Sequence, residues 1–194
     1  MRGHGSSEEI GGKRIGGHVG ANEATCVRSA RSLASHPATP DSVTAVTTES
    51  RAFADDLEVG RHHEFETFTI SEGDLVDFAS QWDPQSFHVD ADAAESGAFG
   101  GLIASGIHTL AVFQRLAVRA VFDHWQVIAG RRLVDVAFLR PVRPDDTLTG
   151  SMTIDAVTFD KPGRALVVCA GRLVNGDDRE VLSTTMEVFV RARV

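Results

Sequence analysis

A mostly apolar segment from about Gly106 to Phe122 restricts the folds that are open to this chain. Apolar residues occupy most positions around its helical circumference, and a helix that is apolar on nearly all sides is normally buried. The segment is too short, and too often interrupted by arginine, to cross a membrane, which takes about 20 apolar residues. We therefore expect a long central helix that other elements cover.

The elements around this helix are predicted to be strands. His63–Ile70 alternates loosely between polar and apolar residues before the helix, and four strand-like segments follow Trp125: residues 133–139, 148–157, 165–173 and 181–190. The short connections between the later segments include Asn175-Gly176, which is typical of tight turns and favours antiparallel pairing. The sequence therefore predicts an α+β fold, a curved antiparallel sheet wrapped around a long central helix.

A second helix is predicted between the first strand and the central helix. Ser71 and Asp74 match the capping-box pattern loosely, and the following residues are spaced to form one apolar face: Leu75, Phe78, Ala79 and Trp82. Pro84 ends this helix, because proline removes a backbone donor and disfavours helical geometry at the residue before it.

Asp83 and His88 are the candidate catalytic side chains. Asp83 lies at the end of the second helix, and His88 follows five residues later in a segment predicted to be irregular. A carboxylate and an imidazole can share proton transfer on one water molecule. Gly106 opens the central helix, and a helix N-terminus offers a free N–H and a positive dipole end to a developing oxyanion. Together these groups suit the addition of water to a carbonyl-activated double bond, or its removal.

These residues and the order of elements resemble the MaoC-like dehydratase family, whose hot-dog-fold members include the (R)-specific enoyl-CoA hydratases. The family pattern is an Asp, then Asn-Pro-apolar-His-x-Asp, and later a Gly that opens the central helix. The resemblance covers about residues 60–193. It implies that Asp83 and His88 are catalytic and that the Gly106 N–H binds the thioester oxygen. It also implies a homodimer joined edge to edge, and an acyl-CoA or acyl carrier protein thioester as substrate.

The chain departs from the family pattern at two places. Gln85 and Ser86 replace Asn-Pro, and Ser105 precedes Gly106 where the hydratases often carry His. Gln85, Phe87 and Ser105, which lie in or next to these motifs, are candidate substrate-binding residues. The proposed chemistry requires neither a metal nor a redox cofactor. Acyl chain length stays open at this point.

Several other polar residues have simpler interpretations. Asp90 is expected to cap a short helical turn. His108, on the first turn of the central helix, is expected to be a packed core histidine. Arg140 and Arg143 either contact the phosphates of coenzyme A or belong to a solvated turn that pairs with acidic neighbours.

Residues 1–50 differ in composition from the rest of the chain. They are rich in Gly, Ser, Ala and Thr with few large apolar residues, which predicts a disordered tail before a domain at about residues 55–193. Cys26 and Cys169 lie far apart, which argues against a disulfide framework and a zinc site. A net charge of −8 argues against nucleic acid as a partner. The sequence fits a cytoplasmic protein without a membrane span.

Three functions remain to be compared. A hydratase or dehydratase of enoyl thioesters fits the motif best. A hot-dog thioesterase would direct water at the thioester carbonyl with a carboxylate, and the spacing between Asp83 and His88 argues against it. A non-catalytic acyl-thioester-binding module stays open because Gln85 replaces the family's Asn.

Overall fold

The computed structural model describes residues 51–194, so the predicted tail at residues 1–50 lies outside the described residues. One antiparallel sheet has the strand order β1-β3-β4-β5-β2, with β1 at His62–Thr69, β2 at Val127–Phe138, β3 at Thr147–Lys161, β4 at Arg164–Val174 and β5 at Glu180–Arg191. The helices are α1 at Glu72–Trp82, α2 at Ser86–Val89, α3 at Ala91–Glu95 and α4 at Gly106–Ala120. The predicted α+β arrangement is confirmed.

The sheet is built from hairpins at its centre. β3 and β4 are joined through Gly163, whose φ of 73° is the left-handed conformation that favours glycine in a tight turn. β4 and β5 are joined at Asn175, whose side-chain oxygen accepts hydrogen bonds from the backbone N–H groups of Asp177 and Arg179. The turn at Asn175 confirms the prediction from Asn175-Gly176. β2 begins earlier than predicted, at Val127, and lies at one edge of the sheet beside β5.

The central helix α4 packs on the sheet with one face. Its buried residues recur at helical spacing: His108, Thr109, Val112, Phe113, Leu116 and Ala117. Its other face is exposed, and the side chain of Ile107 keeps 54% of its surface accessible. The prediction of a helix buried on all sides was therefore wrong. On this outer face, Ile107 and Ala111 are exposed beside Gln114, Arg115 and Arg119, whereas Leu110 and Ala120 are half-buried against the core.

Two sheet glycines make room for aromatic rings of the core. A Cβ atom on Gly171 would lie 2.2 Å from Cζ of Phe113, and one on Gly150 would lie 2.4 Å from Cδ2 of Phe65. The two rings pack against each other with centroids 5.8 Å apart. The absence of side chains at these strand positions lets the rings of Phe113 and Phe65 lie directly against the backbone of β4 and β3.

Helix α1 carries the predicted capping box. The Asp74 N–H donates to Ser71 Oγ at 3.1 Å, and the Ser71 N–H donates to the Asp74 carboxylate at 3.3 Å. Leu75 and Ala79 are fully buried on its inner face, as predicted, whereas Trp82 is 71% exposed. No helix within residues 51–194 has the length and apolar character that a membrane span requires.

Candidate active site

Asp83 is held at the C-terminal end of α1. Its backbone N–H donates to the carbonyl of Ala79 at 2.8 Å, and its own carbonyl accepts from the Gln85 N–H at 2.8 Å. Pro84 then redirects the chain, because proline cannot continue the hydrogen-bonding pattern of α1. The carboxylate of Asp83 is thereby fixed between α1 and the start of α4, with 23% of its side-chain surface exposed.

His88 lies on α2, a short helical turn, and not in an irregular segment as predicted. Pro84 comes before the N-cap residue Gln85, so it ends α1 without preventing a new turn after it. The imidazole is only 4% exposed. Its Nδ1 lies 2.8 Å from the carbonyl oxygen of Ile103. Since a carbonyl oxygen only accepts, Nδ1 carries a proton and donates it, which leaves Nε2 for chemistry.

The two candidate catalytic side chains meet directly. His88 Nε2 lies 3.4 Å from Oδ2 of Asp83. Ser105 Oγ donates to the same carboxylate oxygen at 2.7 Å, and Gln85 Nε2 donates to Oδ1 at 2.8 Å. The pKa of the Asp83 carboxyl is lowered, first by the hydrogen bond from Ser105 and then by that from Gln85, with a smaller effect of His88. Asp83 is therefore an ionised carboxylate at neutral pH.

Gly106 is the first residue of α4, as the sequence predicts. Ser105 caps the helix by accepting the Ile107 N–H on its hydroxyl at 3.2 Å. Within residues 51–194 the Gly106 N–H has no hydrogen-bond partner, so it is free for a ligand oxygen at the positive end of the helix dipole. A Cβ atom at this position would lie 2.9 Å from the ring of Phe138, so glycine lets that ring pack against the helix start.

His88 and Gly106 line one cavity of about 300 Å³. The remaining lining is mostly apolar and comes from the segment before α4, from α4 itself, from the end of β2 with the connection that follows it, and from the start of β5: Phe99, Ile103, Ala104, Thr109, Phe138, Leu139, Arg140, Pro141, Val142 and Val181. Asp83 is not part of this lining and meets the cavity through its contact with His88. The site therefore combines an apolar chamber, an imidazole and a free backbone donor.

The sequence matches the family described as the MaoC like domain over residues 55–167, more than half of the chain. This protein belongs to the MaoC-like domain family. The MaoC-like dehydratase from Rhodospirillum rubrum is 34% identical, with a TM-score of 0.69 over 74% of this chain and 99% of that one. The (R)-hydratase PhaJ1 from Pseudomonas aeruginosa is 25% identical, with a TM-score of 0.59 over 73% and 86%. The five-stranded sheet and central helix are thus a hot-dog fold.

A curated relative carries no activity in its name. The uncharacterized protein YdeM of Bacillus subtilis (strain 168) is 37% identical over 110 residues, which is 57% of this chain and 76% of the relative. The name of this relative therefore gives no substrate that could be compared with the MaoC-like domain described here. Its own substrate has to be inferred from the site.

The three predicted substrate-binding residues of this MaoC-like domain lie behind the catalytic pair and not in the cavity lining. Gln85 and Ser105 bind the carboxylate of Asp83. The ring of Phe87 packs edge-on against the imidazole of His88, with centroids 4.3 Å apart. Phe138 and the carbonyl of Ile103 also belong to the site and were not predicted from the sequence. A half-exposed strand phenylalanine gives no distinctive sequence signal, and a backbone carbonyl gives none.

The structure also shows the contacts of the other polar residues that were interpreted from the sequence. Asp90 accepts the Ala93 N–H at 3.0 Å and caps α3, as predicted. His108 is 8% exposed and stacks on Phe78 with centroids 4.3 Å apart, which confirms the core histidine. Arg140 reaches the cavity and donates to the carbonyl of Glu180, whereas Arg143 donates to the carbonyl of Phe99. Within residues 51–194, no group of three His, Cys, Asp or Glu side chains is placed to hold a metal.

Proposed function

We propose that this MaoC-like domain is a hydratase or dehydratase that adds water to a 2-enoyl thioester or removes it from the 3-hydroxyacyl product. Coenzyme A is the proposed carrier, and an acyl carrier protein is the alternative. The observation that carries the proposal is the convergence of His88 and the Gly106 N–H on one cavity, with the Asp83 carboxylate 3.4 Å from Nε2 of the imidazole. The (R)-hydratase neighbour PhaJ1 supports the same reaction class.

The proposed hydration begins with a water molecule held by Asp83 and His88. Nε2 of His88 takes one proton from the water while the water oxygen forms a bond to C3 of the thioester. The electron pair of the C2–C3 double bond moves toward the carbonyl, and the thioester oxygen becomes an enolate oxygen. The Gly106 N–H stabilises that oxygen, and comparable donors contribute about 3 kcal/mol.

The second step returns the proton. The imidazolium formed at His88 lies 3.4 Å from the Asp83 carboxylate, so its positive charge is stabilised while it exists. The enolate collapses, C2 takes the proton from Nε2, and His88 is neutral again. Dehydration is the same sequence in reverse. Each proton and electron pair is accounted for within the thioester and the water.

A panel of enoyl-CoA thioesters tests this proposal. We expect the absorbance of the conjugated enoyl thioester to fall when the protein meets crotonyl-CoA or a longer, branched or dicarboxylic analogue, with a single 3-hydroxy enantiomer as product. Release of free thiol would instead identify a thioesterase. Binding to every thioester without turnover would identify a non-catalytic acyl-binding module. Either result would reject the hydratase proposal.

We also propose that two copies associate through β2. Every residue from Val127 to Asp135 on this edge strand is exposed, and several are large and apolar: Val127, Ile128, Leu133 and Val134. Gln114 and Val118 of α4 lie on the same side, since they border a cavity with Leu133. An open apolar edge strand readily pairs with another strand, and a second copy would satisfy it.

A positive charge introduced on the edge strand β2 is expected to weaken the association of the two protein copies. Wild-type protein should elute with a light-scattering mass near twice the chain mass of 20.8 kDa. Val134→Lys should shift the mass toward the monomer, because lysine on an edge strand opposes pairing. Thr67→Lys, on the opposite edge strand β1, is the matched control and should stay dimeric. A wild-type protein that stays monomeric at micromolar concentration would contradict the proposed dimer.

A further inference from the structure

Both oxygens of the Asp83 carboxylate have their own hydrogen-bond donor. Ser105 Oγ donates to Oδ2 at 2.7 Å, and Gln85 Nε2 donates to Oδ1 at 2.8 Å. Both donors stand at positions where the chain departs from the hydratase pattern. A carboxylate with one donor on each oxygen is held in a fixed plane, because rotating it would break both bonds.

We propose that Ser105 and Gln85 are positioning residues that clamp Asp83 as a charged carboxylate beside His88, which leaves His88 as the group that carries the proton during turnover. This inference rests on the proposed hydratase function for its catalytic meaning. The geometry of the clamp is independent of it. Neither residue touches the reacting atoms in this assignment.

Ser105 is suited to this role because its hydroxyl is fully committed. The side chain is completely buried, donates its proton to Asp83 and accepts the Ile107 N–H at 3.2 Å. Its carbonyl is also occupied, accepting both the N–H and the hydroxyl of Thr109. The hydroxyl cannot rotate away from Asp83 without exposing an unpaired carboxylate oxygen in a mostly buried site.

Ser105 also lies between the two parts of the proposed site, the Asp83–His88 pair and the Gly106 N–H. It is the N-cap of α4, so it sits one residue before the free N–H of Gly106. The same side chain therefore fixes the carboxylate beside His88 and the helix start that would bind the thioester oxygen. A small displacement of the helix N-terminus would move both groups together.

Gln85 supplies the second donor from the other side. Its backbone N–H returns to the Asp83 carbonyl at 2.8 Å, so the turn after Pro84 brings its side chain back over the carboxylate. Gln85 is exposed, so water competes with its bond to Asp83 and weakens its contribution relative to that of the buried Ser105. We expect the effect of Ser105 to be the larger of the two.

The charged surroundings of Asp83 are simple. The titratable group that faces it is His88 on α2, while the first turn of α4 presents Ser105, Gly106 and Ile107, and His108 stacks instead on Phe78 of α1. The clamp lowers the pKa of Asp83, so removing a donor raises that pKa toward its ordinary value. The titration of the Asp83 carboxyl itself is therefore the readout that a purely structural role would not move.

The experiment compares Ser105→Ala and Gln85→Leu with the full-length wild type. The titration of Asp83 is followed by carbon NMR of the aspartate carboxyl groups, with the Asp83 signal assigned by its loss in Asp83→Asn. Ser71→Ala is the matched control, because Ser71 caps α1 in the same way and has no contact with Asp83. Both serine substitutions remove the side-chain cap of a helix, so the control reproduces the structural cost.

We expect the titration of Asp83 to move to higher pH in Ser105→Ala, to move less in Gln85→Leu, and to stay at the wild-type position in Ser71→Ala. With a thioester that turns over, kcat/KM should fall by about tenfold in Ser105→Ala, the effect of losing one hydrogen bond to a charged group.

The outcomes separate this inference from the proposed function. An unchanged Asp83 titration in both Ser105→Ala and Gln85→Leu overturns the clamp, whether or not a thioester is hydrated. A shifted titration without any turnover in the wild type supports the clamp and rejects the hydratase. If Ser105→Ala does not fold, the exposed Gln85→Leu decides the question, since its side chain supports no buried packing.

Discussion

Asp83→Asn is expected to lower the turnover number by at least about 10²-fold, the usual effect of disabling a group on which proton transfer depends. The substitution keeps the size of the side chain but removes the negative charge 3.4 Å from His88 Nε2. The imidazolium formed when His88 takes a proton then loses its counter-charge. The donors on Ser105 and Gln85 also face an amide that can accept on only one atom.

His88→Ala should have an effect of similar size, and the double variant should be scarcely worse than the poorer single one, because groups that act as a unit are not additive. KM should stay near the wild-type value, since neither change alters the apolar lining of the cavity. Steady-state kinetics on the best thioester of the panel measures both quantities.

Asp90→Asn is the matched control for this experiment. Asp90 belongs to the same short segment, but its carboxylate caps α3 by accepting the Ala93 N–H. Asn is an equally good N-cap, so stability and turnover should both stay near wild type. Retention of more than a tenth of wild-type turnover by Asp83→Asn would contradict the role assigned to Asp83 and to the whole 83–88 motif.

The sequence could predict Asp83, His88 and Gly106 because each lies at a boundary that local chemistry specifies. Pro84 ends α1 immediately after Asp83. The apolar periodicity of α4 identifies where the central helix begins, and therefore which backbone N–H is left free. Sequence reasoning of this kind depends on capping and chain direction, which are encoded within a few residues.

The surroundings of these groups could not be predicted in the same way. The carbonyl of Ile103 fixes the tautomer of His88, and a backbone group leaves no mark in the sequence. The hydroxyl of Ser105 was predicted to bind substrate, and its contact with Asp83 depends on how α1 packs beside α4. Tertiary packing decides both contacts.

The exposed half of α4 has a related explanation. Ile107 and Ala111 on the exposed side, together with the half-buried Leu110 and Val118, made the sequence of α4 apolar around most of its circumference. Sequence periodicity does not distinguish burial against the chain's own sheet from burial against a second copy. A second copy that covers Ile107 would account for this part of the pattern.

Gly171→Ala is expected to destabilise the fold by about 1–3 kcal/mol, the typical cost of overpacking a core. The new Cβ would lie 2.2 Å from Cζ and 2.7 Å from Cε2 of Phe113. The ring of Phe113 is fully buried and packs against Phe65, so it has little room to move. Chemical denaturation at a fixed protein concentration measures the loss, because association also contributes to stability.

Gly176→Ala is the matched control, because nothing lies within 4 Å of a Cβ at that position in the β4–β5 turn. Its stability should stay within about 0.5 kcal/mol of wild type. Combining Gly171→Ala with Phe113→Leu should recover part of the loss relative to the sum of the two single changes, since the shorter side chain removes the clash that couples them. If the effects of Gly171→Ala and Phe113→Leu on the free energy of unfolding were simply additive, the cost at Gly171 would come from the strand backbone. The glycine would then not be needed for the close approach of α4 to β4.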